Sequence, residues 1–312
     1  MRVVSLGSGS SGNALLVEAG PNGRTKVLVD AGFSERILRD RLRSVGVSFS
    51  QIRAILVTHE HADHILGLST IVKRYATSLV ADPRTLVAIE QVFSAGMLRS
   101  ESGALVPLES LDGDGQGEYI FAGEISNGHH IRHSAIDLPV GSRHLLGDIE
   151  VISFPVSHDA VAPCGYLLSA GGCRVCVVID SGEVTPTMLE AMNQADLLIL
   201  ESNHDRERLL RGPYPYALKQ RILSSTGHLS NDQAAEAVLR TWRTDAVRWL
   251  WLSHLSRTNN TPKLAMNSMQ SRIQVARANL AQIHISVLPH TMGGVWDSTQ
   301  LWKIPTLWEM QL

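Results

Sequence analysis

Short apolar runs bounded by turn residues fill the first third of the chain. Residues 2–6, 14–18, 26–29 and 53–57 each predict a strand, and 78–81 predicts another between helical stretches at 66–76 and 83–93. Ser34 is placed to cap a helix that starts beside it. The pattern loosens over residues 94–147, where Gly-rich and His-rich stretches such as Asp112-Gly113-Asp114-Gly115-Gln116-Gly117 read as an insertion in a single domain spanning 1–312. Order returns with strands at 149–156, 165–169, 174–179 and 197–200. Helices are expected at 186–194, 231–242 and 262–280, the last opened by Thr261-Pro262, and strands at 247–252 and 284–288 complete the sheet material. The Trp-rich tail 296–312 is expected to pack on the core.

Composition narrows the class. An apolar fraction of 44% and a charged fraction of 19% suit a folded soluble protein, and a net charge of −2 gives no global attraction to a polyanion. Any nucleic-acid contact must therefore come from local patches. Cys164, Cys173 and Cys176 cannot build a disulfide framework and point to a reducing compartment. The first residues lack the apolar stretch of a secretory signal and no run is long enough to span a bilayer, so a cytoplasmic protein without a membrane partner is expected.

The chemistry concentrates in His59-Glu60-His61-Ala62-Asp63-His64, directly after the apolar run 52–58. A strand ending in three imidazoles and two carboxylates delivers to one point the ligands that suit zinc or manganese. One such motif holds too few donors for two metals. His158, Asp180 and His254 each stand where an apolar strand emerges into a loop and are the remaining candidates, although each alone also reads as a residue capping a turn. His129, His130, His133 and His144 follow no clean strand and stay as alternatives to His158.

In this order and spacing, His59-x-His61-x-Asp63-His64, His158, Asp180 and His254 resemble the metallo-β-lactamase fold, an α/β architecture in which two mixed β-sheets pack face to face with helices outside (an αββα sandwich). The resemblance implies one metal held by His59, His61 and His158, a second held by Asp63, His64 and His254, and Asp180 bridging them. The pair would be zinc or manganese, with iron also admissible. Asp30, in Val29-Asp30-Ala31-Gly32, matches the family's early aspartate, which supports the ligand loop.

Five further blocks are similar to the YycJ/WalJ group of that fold: Ser5–Ala14, Pro155–Ala160, Glu201–Asp205, Gly227–Asn231 and His254-Leu255-Ser256. Similarity to this group implies a double-stranded DNA exonuclease working 5′ to 3′; it is weak between residues 94 and 147. Such a reaction would use a metal-bridging hydroxide as nucleophile, with Asp63 both ligating metal and orienting the hydroxide. The leaving oxygen needs a proton, and His228 oriented by Glu201 is the candidate donor, by analogy with a Glu–His pair in tRNA-processing relatives. The plain alternative for His228 is a loop histidine ahead of a helix.

Ser230-Asn231-Asp232-Gln233 reads as a capping box whose helix would aim its positive end at an anion, with Asn231 as a contact. Arg206, Arg208, Arg211, Lys219 and Arg221 fall between Glu201 and His228, as a phosphate-binding cluster or as the solvated side of a helix. Ser10 and Asn13 belong to a turn expected near the metal edge, and His204 is expected to pack beside the ligands.

Three motifs mislead. Gly7-Ser8-Gly9-Ser10-Ser11-Gly12 has the G-x-G-x-x-G form, but residues 13–18 read as a strand, so the helix a dinucleotide needs is missing. Cys173-x-x-Cys176 lies inside a strand and should face both sides of it. Asp112-Gly113-Asp114 lacks the terminal glutamate of a calcium loop, because position 123 is glycine. The expectation is a dinuclear phosphodiesterase acting on nucleic acid, DNA before RNA. The alternatives are an RNA-processing nuclease, a thioester or lactone metallo-hydrolase, and a metal-dependent nucleic-acid-binding module. Oligomeric state is open, a homodimer included.

Overall fold

The structure, a computed structural model, describes residues 1–99, 105–107 and 135–302. The Asp112–Gly117 turn, His129, His130, His133 and the tail beyond residue 302 lie outside the described residues. The strands in chain order are β1 (Arg2–Gly7), β2 (Ala14–Ala19), β3 (Thr25–Val29), β4 (Ala54–Leu56), β5 (Ser78–Ala81), β6 (Met97–Arg99), β7 (Leu105–Pro107), β8 (Ala135–Asp137), β9 (Arg143–Leu146), β10 (Ile149–Pro155), β11 (Cys164–Ala170), β12 (Cys173–Val178), β13 (Leu197–Glu201), β14 (Arg248–Ser253), β15 (Ile283–Val287) and β16 (Val295–Asp297). Among them run α1 (Glu35–Ser44), α2 (Ala62–Ile65), α3 (Leu68–Tyr75), α4 (Pro83–Ala95), α5 (Pro186–Asn193), α6 (Arg206–Arg211), α7 (Tyr216–Leu223), α8 (Asn231–Arg240) and α9 (Pro262–Val275).

Two seven-stranded sheets result, ordered β16-β1-β2-β3-β4-β5-β8 and β15-β14-β13-β12-β11-β10-β9. Alternation along each strand sends successive side chains to opposite faces. Val3, Val27, Val175 and Ile199 face the space between the sheets. Their neighbours Val4 and Leu28 face Leu38, Leu42, Ile71 and Ile89 of α1, α3 and α4. Cys176 and Leu198 face Met188, Val238 and Ile273 of α5, α8 and α9. With both faces of the sheets covered, the strands carry continuous apolar runs in place of a polar alternation. The layers are those of the expected αββα sandwich. Cys173 lies in the inter-sheet core and Cys176 in the helix-side core, so the Cys-x-x-Cys spacing is strand geometry and no metal motif.

Two features depart from the sequence reading, and a third, the start of the tail, packs on the core as expected and adds a strand. Residues 135–146 supply β8, paired with β5, and β9, paired with β10, so the interruption of the sheets is narrower than 94–147. The start of the Trp-rich tail is a strand: β16 closes the first sheet against β1 and buries Trp296 between the sheets. The segment 206–223 forms two short helices, α6 and α7, where only a basic stretch was legible.

Strand direction creates the functional edge. β3 and β4 are parallel neighbours. In the second sheet β12, β13 and β14 are parallel, and β10, two antiparallel pairings from β12, runs the same way. Asp30, His59, His158, Asp180, Glu201 and His254 all lie at or just beyond the carboxyl ends of these strands.

Asp82 joins the two halves of the first sheet's outer edge. It caps α4 by accepting from Arg84 N at 2.9 Å and also accepts from Val140 N at 2.9 Å. The Arg84 guanidinium and these amides pull its carboxyl down to about 2. An unfolded aspartate titrates at about 3.9, so this contribution is present above pH ~4 and is lost as pH falls toward 2. We expect Asp82→Ala to cost about 2 kcal/mol at neutral pH and to flatten the loss of thermal stability between pH ~4 and 2, measured by calorimetry. An unaltered melting profile would refute this role.

Candidate metal centre

Three ligand-edge residues bend sharply where their strands end. Asp30, Asp180 and His254 have φ values of 61°, 59° and 53°, in the left-handed region that non-glycine residues avoid. Such conformations cost about 1–3 kcal/mol each and persist only where the surroundings fix them. For Asp30 the fixing contacts are explicit: its carboxylate accepts from Thr58 N at 2.9 Å, from Thr58 Oγ1 at 2.9 Å and from His64 Nδ1 at 2.8 Å. One buried carboxylate thus ties down both ends of the His59–His64 turn. Backbone bonds continue the braid, with Ala31 N donating to His64 O and Asn13 N to Asp63 O, each at 2.8 Å. Gly32 permits this closeness, since a Cβ there would lie 1.7 Å from Asp63 O.

The histidines and carboxylates separate into distinct groups. His59, His61 and His158 bring one donor atom each within 4.8 Å of one another, as do Asp63, His64, Asp180 and His254. Burial, then the imidazoles of His64 and His61, hold His59 well below its ordinary value. Burial and His158 hold His61 down to about 4. These rings are neutral with lone pairs available, and His59 Nε2 and His61 Nε2 are buried without a hydrogen-bond partner. His158 Nδ1 donates to Gly227 O at 3.1 Å, which leaves its Nε2 as the donor to a cation.

The second group is acidic. His64 Nε2 lies 2.7 Å from Asp180 Oδ2, and His254 Nε2 lies 3.3 Å from Asp63 Oδ2. Burial opposes charge on His64, yet Asp63, Asp30 and Asp180 hold it well above its usual value. Burial likewise opposes charge on His254, and Asp180 overrides it. Neutral imidazoles beside buried carboxylates are the donor set of divalent zinc-type sites, and with unpartnered Nε2 atoms present the residues fit divalent cations. Loading this second group would displace protons from the imidazoles.

A third group adjoins it. His228 Nδ1 lies 2.8 Å from Glu201 Oε1 and 3.1 Å from Asp180 Oδ1, and its Nε2 is buried without a partner. Burial opposes charge here too, but Glu201 and Asp180 raise His228 to about 10. Glu201 Oε1 also lies 2.9 Å from His254 Nδ1, and its Oε2 accepts from Ser181 N and Leu229 N. A single buried carboxylate therefore positions both His228 and His254.

The expected substrate contacts fare differently. Ser10 is half-buried in the 7–12 loop and Arg206 is exposed. Asn13 is buried, with Nδ2 donating to Asp63 Oδ2 at 3.2 Å, so it supports a ligand rather than facing solvent. Asn231 is likewise buried: Nδ2 donates to Asn260 Oδ1, and Oδ1 accepts from Ser202 Oγ and Asn260 Nδ2. Its amide is engaged at both ends, and this corrects its assignment as a substrate contact. Arg211 pairs with Glu207 at 2.7 Å. Lys219 Nζ donates to Leu210 O and Gly212 O, and Arg208 Nε to Thr258 O. Arg221 pairs with Asp159. Arg208, Lys219 and Arg221 thus tie α6 and α7 to each other and to neighbouring segments, whereas the Arg211 pair lies within α6. His204 is buried next to the site with neither ring nitrogen hydrogen-bonded, and burial and His228 push it down to about 4.

Thr58, Ser8, Asn203 and Asn260 were not singled out from the sequence. Ser8 Oγ accepts from His254 N at 2.9 Å, and Asn203 Nδ2 donates to His254 O at 3.1 Å. Asn260 Nδ2 bridges Ser202 O and Asn203 O. The available signal was their position next to ligand blocks, Thr58 directly before His59 and Asn203 two residues after Glu201. Glu60 accepts from Val161 N and so ties the motif to the β10–β11 loop.

The sandwich, with His and Asp donors gathered at one edge, defines a metal-dependent hydrolase of the metallo-β-lactamase type. A model of the beta-lactamase superfamily domain matches residues 25–249. Exodeoxyribonuclease WalJ of Streptococcus pneumoniae is 35% identical over 275 residues, 88% of each chain. Exodeoxyribonuclease YycJ of Bacillus anthracis is 33% identical over 269 residues, 86% of this chain and 88% of that one. The metallo-beta-lactamase fold protein YhfI from Bacillus subtilis superposes with a TM-score of 0.63 at 16% identity, covering 95% and 99% of the two chains. This chain belongs to the beta-lactamase superfamily and, within it, to the family that includes WalJ and YycJ.

Asp30 offers a clean test of the support network. Asparagine tolerates the left-handed conformation, so Asp30→Asn keeps the backbone and removes the charge. We expect divalent-metal affinity to fall about 10–100-fold, read by competition with a chromophoric chelator. Undiminished affinity would exclude Asp30 from metal retention.

Proposed function

We propose that this protein is a nuclease that hydrolyses phosphodiester bonds of double-stranded DNA from a 5′ end, using two divalent cations, zinc or manganese. The observation that carries the reading is the buried Glu201–His228 pair beside the metal-ligating groups. An alkoxide leaving group needs a proton, and a histidine held in its charged form by two carboxylates supplies one. The names of the WalJ and YycJ relatives support DNA as the polymer.

His59, His61 and His158 would hold one cation, Asp63, His64 and His254 the other, with Asp180 shared; together such ions neutralise phosphoryl charge and lower the pKa of water. Asp63, whose Oδ2 is fixed by Asn13, orients the attacking water. Glu201 sets the ring of His228 so that Nε2–H points away from the carboxylates. The attacking water gives up a proton to solvent as its oxygen bonds to phosphorus; the bond to the leaving oxygen breaks, and the proton on Nε2 passes to that oxygen. Asp30 and Glu201 keep the rings of His64 and His254 from turning as charge shifts during the reaction.

The discriminating assay offers 5′-labelled duplex DNA, duplex RNA and a lactone to the metal-loaded enzyme. Nucleotide release from DNA is expected; turnover of the lactone alone would overturn the nuclease reading, and RNA cleavage without DNA cleavage would redirect it to RNA. His228→Ala is expected to keep its metal and to lower DNA cleavage about 10²–10⁴-fold. Its loss should be much smaller on a p-nitrophenyl diester, whose leaving group needs no proton. Full DNA cleavage by that variant would remove His228 from the mechanism.

A further inference from the structure

The G-x-G-x-x-G stretch, unsuited to a dinucleotide, lies flat against two ligand-bearing segments. Ser8 Oγ accepts from His254 N at 2.9 Å, and Asn13, one residue beyond Gly12, holds Asp63. Gly9 has φ +145°, and a Cβ there would lie 2.3 Å from His290 Nδ1 and 3.4 Å from Leu255 O. Only glycine fits this gap. His290 Nδ1 is buried against this loop.

Arg257 follows His254 by three residues and is exposed. Its Nη2 donates to Ser11 Oγ at 3.0 Å, and among the described residues no carboxylate lies within ion-pair distance of it. Within the basic stretch 206–221, by contrast, Arg208, Lys219 and Arg221 are committed to protein carbonyls or a carboxylate and Arg211 pairs with Glu207, while Arg206 is exposed. Arg257 is bonded instead to a neutral hydroxyl, and that bond fixes its direction while leaving further donors of the fork unused. A guanidinium so placed matches a phosphate geometrically.

We propose that Arg257, aimed by Ser11 and backed by the 7–12 loop and His290, binds a backbone phosphate of the nucleic-acid strand adjacent to the scissile one. This subsite rests on the nuclease reading and extends it. It makes Arg257 a positioning residue for polymeric substrate, whereas Arg208, Lys219 and Arg221 tie their helices to neighbouring segments.

The test compares wild type, Arg257→Ala, Arg257→Lys and Ser11→Ala as metal-loaded enzymes. Binding of a non-hydrolysable phosphorothioate duplex is read by fluorescence anisotropy across a salt series, beside turnover of duplex DNA and of bis(p-nitrophenyl) phosphate. For Arg257→Ala we expect the ratio of DNA to small-diester turnover to fall about tenfold, mainly through KM. The slope of log affinity against log salt should become shallower by about 0.9, the value for one duplex phosphate contact. Arg257→Lys should recover the salt slope in part, and Ser11→Ala should show a smaller loss of the same kind. Wild-type affinity and slope in Arg257→Ala, or an equal loss on both substrates, would overturn the subsite. A wild type that neither binds the duplex nor cleaves DNA would overturn the nuclease reading and the subsite together.

Discussion

The ligand edge depends on the ion pairing of buried carboxylates with buried imidazoles. Asp30, Asp180 and Glu201 are almost completely removed from water, as are His64, His228 and His254. Neither charge would be stable there alone, since desolvating an unpaired ion costs several kcal/mol. Together they form a continuous network: Asp30 to His64, His64 to Asp180, Asp180 to His254 and His228, and both of these to Glu201. Removing any member leaves an uncompensated charge in the interior. The sandwich around the network supplies the low dielectric that gives these pairs their strength.

This electrostatic division also separates the chemical tasks. At His59, His61 and His158, burial and the neighbouring imidazoles outweigh the nearby carboxylates, and the rings stay neutral. Where Asp180 and Glu201 intrude, attraction outweighs burial and the rings hold protons. Histidines gathered at one edge are thereby sorted by the acids beside them into rings that stay neutral and rings that hold a proton. The buried amides of Asn13, Asn203, Asn231 and Asn260 add no charge of their own and lock the loops that carry the network.

Much of this was legible before folding was considered. The strand at 78–81 matches the observed β5 in both limits, and the helix capped by Ser34 begins at Glu35. Local signals of that kind act over a few residues, so they survive without tertiary context. The resemblance to the metallo-β-lactamase fold implied two sheets, but the pairing of β16 with β1 joins residues almost 300 positions apart and has no local signature. The same limit explains the basic stretch 206–221. Composition shows five cations there, but whether each meets solvent, a carbonyl or an acid depends on segments such as Asp159 and Thr258 that only folding brings close.

The sequence by itself determined the donor types, their order and their placement after apolar strands, because ligand chemistry and strand periodicity are local properties of the chain. It also determined the capping box at Ser230, which depends on two side chains three residues apart. Tertiary structure alone decided the protonation of each histidine, the inward turn of Asn13 and Asn231, and the exposure of Arg257 beside the 7–12 loop. Those outcomes depend on burial and on charges distant in sequence, and the parallel run of β12, β13 and β14 brings them to one edge.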